Sequence, residues 1–167
     1  MSWIFNVRDL ITPRSNVLME VGIQEGFVVL DFGCGPGSYI LPLAQLVGTA
    51  GNIYALDIHP RAIKKVQDIA SSISLRQPNI EAIQSDCKTE LSDKSVDVVL
   101  LYDTFHDLTD PDSVLKEIHR ILKPDGILSF SDHHLEDKAI IAGVTTEGRF
   151  TLAKKGSKTY TFIKTEK

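Results

Sequence analysis

Short runs of β-branched and other apolar residues alternate along this chain with stretches whose apolar positions recur every three or four residues. Such an alternation predicts a mainly parallel sheet wrapped by helices. An opening helix is predicted over Ser15 to Val21, and Gly26 turns the chain into a first strand, Phe27-Val28-Val29-Leu30-Asp31-Phe32. That run is apolar on both faces, as a central parallel strand should be. A helix follows from Ser38 to Val47, with Pro42 close enough to its first turn to be tolerated and Gly48 as its stop.

Asn52 to Asp57 reads as the second strand, and Pro60 opens a helix whose stripe is Ile63, Val66, Ile69, Ala70 and Ile73. The third strand is predicted over Asn79 to Asp86 and the fourth over Val96 to Tyr102. Asp110-Pro111 then caps a helix with Val114, Leu115, Ile118, Ile121 and Leu122 on its apolar side. Pro124-Asp125-Gly126 reads as a turn before strand five, Ile127 to Asp132, and a short helix is expected near Leu135 to Ala142. Beyond it, Phe150 to Lys154 and Thr159 to Lys164 alternate polar with apolar residues around Lys155-Gly156-Ser157-Lys158, the pattern of an antiparallel hairpin.

Composition narrows this picture. The 167 residues, 43% hydrophobic and 24% charged, suit one globular domain. Eighteen basic residues against 22 acids give a net charge of -4, which leaves no basic field for a polyphosphate backbone and argues against nucleic acid as a partner. Cys34 and Cys87 are too few for a disulfide framework and fit no zinc spacing, so both are read as reduced thiols in a cytoplasmic protein. Met1 to Leu10 lacks the basic-then-apolar pattern of a signal peptide, and no apolar segment approaches the roughly 18 residues of a membrane span, so no membrane insertion is expected.

The strongest chemical signal is Asp31-Phe32-Gly33-Cys34-Gly35-Pro36-Gly37, which joins a buried strand to a helix at the sheet edge where open α/β folds bind ligands. Its glycines allow left-handed backbone angles and let a ligand lie against the main chain. A dinucleotide loop would need glycine where Ser38 stands, which argues against NAD. Asp31 suits a cationic amine better than a pyrophosphate. Asp57 ends strand two, where an acid can accept both hydroxyls of a ribose. Asp86, at the end of strand three, could receive the exocyclic amine of a base while the Cys87 backbone faces a ring nitrogen. Three acids on consecutive strand ends beside a glycine loop describe a pocket for an adenosine carrying a positively charged amino-acid tail.

These residues resemble the class I S-adenosylmethionine-dependent methyltransferases. The glycine loop is similar to their first motif, Asp57 to the ribose acid, Ser85-Asp86-Cys87 to the adenine-contact motif, and Leu122-Lys123-Pro124-Asp125-Gly126 to the turn before strand five. The resemblance covers about Asn16 to Lys164 and is closest to the small-molecule branch that includes the ubiquinone and menaquinone methyltransferases, where a histidine often follows strand four, as His106 does. It implies a Rossmann-like α/β three-layer sandwich with a mainly parallel seven-stranded sheet, order 3-2-1-4-5-7-6, and an antiparallel strand 7. It also implies one methyltransferase domain over residues 1–167, with an N-terminal helical segment (1–25), a cofactor-binding core (26–132), and a short helix and hairpin (133–167).

The cofactor implied is S-adenosylmethionine, with S-adenosylhomocysteine as product. The family's binding positions carry over as Asp31, Gly33, Cys34, Gly35 and Gly37 around the methionyl part, Asp57 and Ile58 at the ribose, and Asp86 with Cys87 at the adenine. Tyr102 and Asp103 fall where the transferred methyl should point. His106 is the first candidate for a general base, with Asp103 and His133 behind it. Asp132-His133-His134 does not read as a metal site, because adjacent strand residues point to opposite faces. Neither cysteine is read as a nucleophile.

Two departures matter. Asp125 stands where the family's turn has a second glycine, and the segment from His133 to Gly148 is short where many relatives build a substrate lid. A small-molecule acceptor pocket is therefore expected to be open, or completed by a second copy or a partner chain. Lys154, Lys155, Lys158, Lys164 and Lys167, with Arg149, read as charges that protect the hairpin edge. The competing functions are a non-catalytic cofactor-binding or partner-regulating module, a protein methyltransferase and an NAD-linked oxidoreductase.

Overall fold

A computed structural model describes residues 13–73 and 78–165. Its elements run in the order α1 (Pro13–Met19), β1 (Val28–Phe32), α2 (Ile40–Val47), β2 (Asn52–Asp57), α3 (Pro60–Ser72), β3 (Asn79–Gln84), β4 (Val96–Tyr102), a single 3-10 turn (Phe105–Asp107), α4 (Pro111–Ile121), β5 (Leu122–Ser131), α5 (Asp137–Thr145), β6 (Phe150–Lys155) and β7 (Tyr160–Lys164). The seven strands form one sheet in the order β3-β2-β1-β4-β5-β7-β6. β1 to β5 pair in parallel, and β7 runs antiparallel to both β5 and β6. This is the α/β order that the resemblance implied.

Strand alternation divides the core between the two faces. Leu30, Phe32, Val99 and Leu101 point to the face covered by α4 and α5, where Ile118, Ile121, Phe130 and Phe162 complete the packing. Val29, Ala55, Val98 and Leu100 point the other way, onto Leu18, Ile40, Leu43 and Val66 of α1, α2 and α3. Most of these side chains are entirely buried, each worth about 1.5–3 kcal/mol of transfer free energy. By the same parity Asp31 and Asp57 fall on the α1–α2 face, at the strand ends.

Local chemistry explains the helix limits. Asp110 accepts hydrogen bonds from the Ser113 N–H (3.1 Å) and hydroxyl (2.6 Å), and Pro111 opens α4. Gly48 stops α2 with φ +63° and donates its N–H to the Ala44 carbonyl. Several predicted boundaries move. α1 runs Pro13–Met19 rather than to Val21, and α2 begins at Ile40 because Ser38 still belongs to the glycine loop. β3 stops at Gln84, two residues before Asp86, and α5 starts two residues and ends three residues later than expected. The Pro124-Asp125-Gly126 turn is absorbed into β5, whose pairing with β4 jumps from Val96↔Leu122 to Val98↔Ile127, so it forms a bulge rather than a break. Residues 1–12 and Lys167 lie outside the described residues.

Among the described residues, no helix is long and apolar enough to cross a membrane.

Candidate active site

The carboxyl ends of β1, β2 and β4, the loop after β3 and the start of α4 surround a cavity of about 730 Å³. That volume is within the usual range for a small-molecule pocket, roughly 300–1,000 Å³. Of the residues singled out in the sequence, Gly33, Asp57, Ile58, Asp86, Cys87 and Asp103 line it. Ile58 is 57% exposed, an apolar surface left open beside two acids. Asp31, Cys34, Gly35, Gly37, Tyr102 and His106 do not line the cavity, and each has a local explanation.

Asp31 is buried beneath the glycine loop at 2% exposure, and its Oδ2 has no hydrogen-bond partner. Burial, reinforced by the charge of Asp57, pushes its pKa up to about 7. A buried carboxyl oxygen without a donor is rare in a folded protein. Asp57 is by contrast engaged: Oδ2 accepts the Gly35 N–H at 2.9 Å and Oδ1 the His59 N–H at 2.8 Å. Each carboxylate oxygen keeps a further lone pair for a hydroxyl donor. The loop is also held through its own N–H groups, since Gly33 and Cys34 both donate to the Leu56 carbonyl, at 2.8 and 2.9 Å.

The glycines serve different ends. A Cβ on Gly33, at φ +77°, would lie 2.3 Å from Thr104 Oγ1, so this glycine lets β1 approach the loop after β4. Gly35 has φ +51° and nothing within 4 Å of where its Cβ would lie, leaving backbone open to a ligand. A Cβ on Gly37 would meet Ile69, Val66 and Ile40 at 2.9–3.3 Å, so Gly37 fits α2 against α3 rather than facing the cavity. Cys34 is buried, and burial followed by the charges of Asp31 and Asp57 pushes its thiol pKa far up. Burial also raises that of Cys87, so neither thiol is set up as a thiolate. Tyr102 is buried at 7% exposure with its hydroxyl 2.6 Å from Ser129 Oγ, and its ring meets Tyr39 edge-on at 5.2 Å. Arg14 stands 5.6 Å over that same Tyr39 ring.

After β4 the backbone turns through Asp103 at φ +48°, a left-handed angle seldom taken by a residue with a side chain. Asp103 Oδ1 accepts from the His133 N–H at 2.8 Å and lies 2.7 Å from His133 Nδ1, both side chains being exposed. His106, in the 3-10 turn, has Nδ1 2.9 Å from Asp132 Oδ2, and its N–H donates to the same oxygen at 3.1 Å. The His134 N–H donates to Asp132 Oδ1 at 3.0 Å. Burial alone would raise the Asp132 pKa, but the hydrogen bonds from His106 and His134 outweigh it and hold it below the ordinary carboxylate range. The Asp132 hydrogen bond in turn raises the His106 pKa. Asp132 as partner of His106 was not anticipated. The two are 26 residues apart, and only the pairing of β4 with β5 brings them together.

Fold and site together define an open α/β sheet with a crevice outside its strand ends, the place where ligands bind in sheets of this kind. Residues 23–165 match the family described as a methyltransferase domain. The chain belongs to that family. It is 32% identical over 119 residues to the demethylmenaquinone methyltransferase of Lactobacillus johnsonii, covering 68% of this chain and 46% of that protein. It is 34% identical over 124 residues to the arsenite methyltransferase of Aquipseudomonas alcaligenes, covering 69% of this chain and 35% of that protein. The chain thus spans about half or less of the curated relatives it matches. The crystal structure of a SAM dependent methyltransferase from Aquifex aeolicus superposes with a TM-score of 0.80 over 93% of this chain and 92% of that one, at 25% identity.

Proposed function

We propose that this protein transfers the methyl group of S-adenosylmethionine to a small-molecule acceptor by direct displacement, within one domain. The observation that carries the reading is the unpartnered Oδ2 of Asp31, buried under the glycine loop beside Asp57. A cationic amino-acid tail reaching that oxygen would supply the missing donor and favour the ionised carboxylate. The residues therefore fit the cofactor. Asp31, Gly33 and Gly35 would hold its methionyl part, Asp57 and Ile58 the ribose, and Asp86 and Cys87 the adenine. Gly37 and Cys34 would act only by shaping the loop, and Tyr102 by supporting it. When bound, S-adenosylmethionine supplies an electrophilic methyl group on a sulfonium.

The chain's own part is largely positioning, which alone can account for several kcal/mol of a displacement barrier. Asp103, Thr104 and Asp107 line the cavity beside His106 and bound the space left for an acceptor. With Nδ1–H directed to Asp132, His106 turns Nε2 toward the cavity-lining Asp107, whose Oδ2 lies 3.4 Å away, and the neutral ring would take a proton from that acceptor at Nε2. An acceptor that must lose a proton, such as a ring hydroxyl or an activated ring carbon, suits this arrangement. The similarity to demethylmenaquinone methyltransferases makes a quinol the first acceptor to try. Arsenite is less suited, since a soft ion wants several thiolates and both thiols here are held protonated.

Calorimetric titration with S-adenosylmethionine, S-adenosylhomocysteine and NAD tests the cofactor, followed by transfer of labelled methyl to demethylmenaquinol and to arsenite. Micromolar binding of the first two ligands and labelled quinone product are expected. Binding without transfer to any acceptor would favour a cofactor-binding module, and NAD binding alone would overturn the reading.

A further inference from the structure

The opposite, amino-terminal edge of the sheet carries a second concavity, of about 450 Å³, lined by Lys94, Lys116, His119, Arg149 and Lys164. These residues come from four separate elements. Lys94 precedes β4, Lys116 and His119 lie on α4, Arg149 precedes β6, and Lys164 ends β7 opposite Phe150. Convergence of five basic side chains is notable in a chain whose net charge is -4.

Edge protection does not account for this cluster. A lysine that merely keeps a hairpin soluble stands in water, but Lys164 is half-buried and donates from Nζ to the Leu122 carbonyl at 3.0 Å. Burial, and next the like charge of Lys94, lower its pKa, with only Asp93 acting the other way. Arg149 is paired with Asp112, whereas Lys94, Lys116 and Lys164 form no ion pair with a carboxylate among the described residues. Like charges gathered around a concave, partly dry surface repel one another, and a multivalent anion bound between them would relieve that repulsion.

We propose that this cavity binds a small phosphate-bearing anion at a site separate from the cleft at the carboxyl edge. Lysine ammonium groups act as strong point charges toward phosphoryl oxygens, while Arg149, its guanidinium held by Asp112, shapes the rim. The cavity's volume, about 450 Å³, favours a compact ligand over an extended polyanion.

Inorganic pyrophosphate is the probe, titrated calorimetrically into the full chain at low and at physiological salt. The wild-type protein is expected to bind one equivalent, more weakly as salt rises, and the Lys94→Ser/Lys116→Ser double variant to bind at least about tenfold more weakly. Both positions are exposed, so the variant should fold, which an unchanged Tm and unchanged S-adenosylhomocysteine affinity would verify. Lys164→Met, which keeps the apolar stem, should weaken binding as well. Absence of pyrophosphate binding, binding undiminished in the double variant, or displacement by S-adenosylhomocysteine would each overturn the proposal. Binding to phosphatidylglycerol vesicles without binding to pyrophosphate would also overturn it, in favour of a lipid surface.

Discussion

Asp57, at the end of β2, accepts the Gly35 N–H of the loop after β1 at 2.9 Å, so the acid expected to meet a ribose also holds the glycine loop in shape. The two roles separate by substitution. Asp57→Ala removes the acceptor for Gly35 and His59, and should cost about 1–2 kcal/mol of stability. It should also weaken S-adenosylhomocysteine binding by about a hundredfold or more, since charge-assisted bonds are worth about 1.5–3 kcal/mol each. Asp57→Asn keeps one acceptor oxygen but sets its NH2 against the other N–H, so it should recover only part of the stability and none of the affinity. Urea unfolding read beside calorimetry checks this, and full affinity in Asp57→Ala would remove the acid from the site.

Asp31 gives a pH-dependent counterpart. Its folded pKa of about 7 stands above the ordinary 3.8, so the folded state holds a proton that the unfolded chain has released between those values. Stability is therefore lost as pH rises through that window, and the cost is complete above about 7. Asp31→Asn should be more stable than wild type at pH 8 by on the order of 1–3 kcal/mol, with the difference vanishing below pH 4. A cationic ligand that favours ionised Asp31 should release a proton on binding near neutrality. Binding enthalpies measured in buffers of different ionisation heat would show it, and buffer-independent enthalpies would contradict it.

The His106–Asp132 pair predicts the shape of a rate profile. The Asp132 hydrogen bond raises the His106 pKa above 6.5, so a reaction needing neutral His106 should slow as pH falls through that raised value. Asp132→Asn should move the acidic limb to lower pH and reduce kcat while leaving cofactor affinity unchanged. His106→Ala should remove the limb. The linked stability has the opposite sense: it is fully present below 6.5 and is lost as pH rises through the folded value. Profiles of the variants that superpose on wild type would take the pair out of the mechanism.

Much of this arrangement was legible in the chain itself. β2 and β4 match their predicted limits, because in each an apolar run, Ile53 to Leu56 and Val98 to Leu101, ends in a polar or aromatic residue at the sheet edge. The α4 stripe, Val114, Leu115, Ile118 and Ile121, is buried as its spacing requires. What escaped depends on residues distant in sequence. Gly37 reads like Gly35, yet only the packing of α3 against α2 reveals that its missing Cβ makes room for Ile69. In the sequence Asp132 stands in a trio with His133 and His134. Its bond to His106 emerges only once β4 and β5 are paired. The Pro124-Asp125-Gly126 turn likewise became a bulge because both flanks kept their pairing with β4.

Two glycines of one loop should respond differently to the same change. Gly33→Ala drives a Cβ to 2.3 Å from Thr104 Oγ1 at a left-handed backbone angle, and should cost about 2–4 kcal/mol. Gly35→Ala meets open space, so only the backbone penalty of about 1–2 kcal/mol remains. Its methyl would nonetheless stand where the ligand is expected to approach, so affinity should fall more than stability. Thr104→Ala in the Gly33→Ala background should recover part of the lost stability. Equal denaturation midpoints for the two single variants would show that the loop relaxes freely, against the close approach seen here.

Glu20, just past the end of α1, holds the hairpin turn from outside. Its carboxylate accepts the Lys158 N–H at 3.0 Å, the Thr159 N–H at 3.0 Å and the Thr159 hydroxyl at 3.0 Å, together with the Ser157 hydroxyl. Burial would raise its pKa, but these hydrogen bonds overcome burial and bring it from 4.5 to about 2. The folded value is the lower one, so the contribution is present above about 4.5 and is lost as pH falls toward 2. Glu20→Gln should therefore cost about 1 kcal/mol at pH 7, discounted for partial exposure, and almost nothing near pH 2. Hydrogen exchange should quicken first at Lys158 and Thr159, whose N–H groups lose their charged acceptor. Exchange unchanged at these two amides would mean that β6 and β7 hold the turn without help from α1.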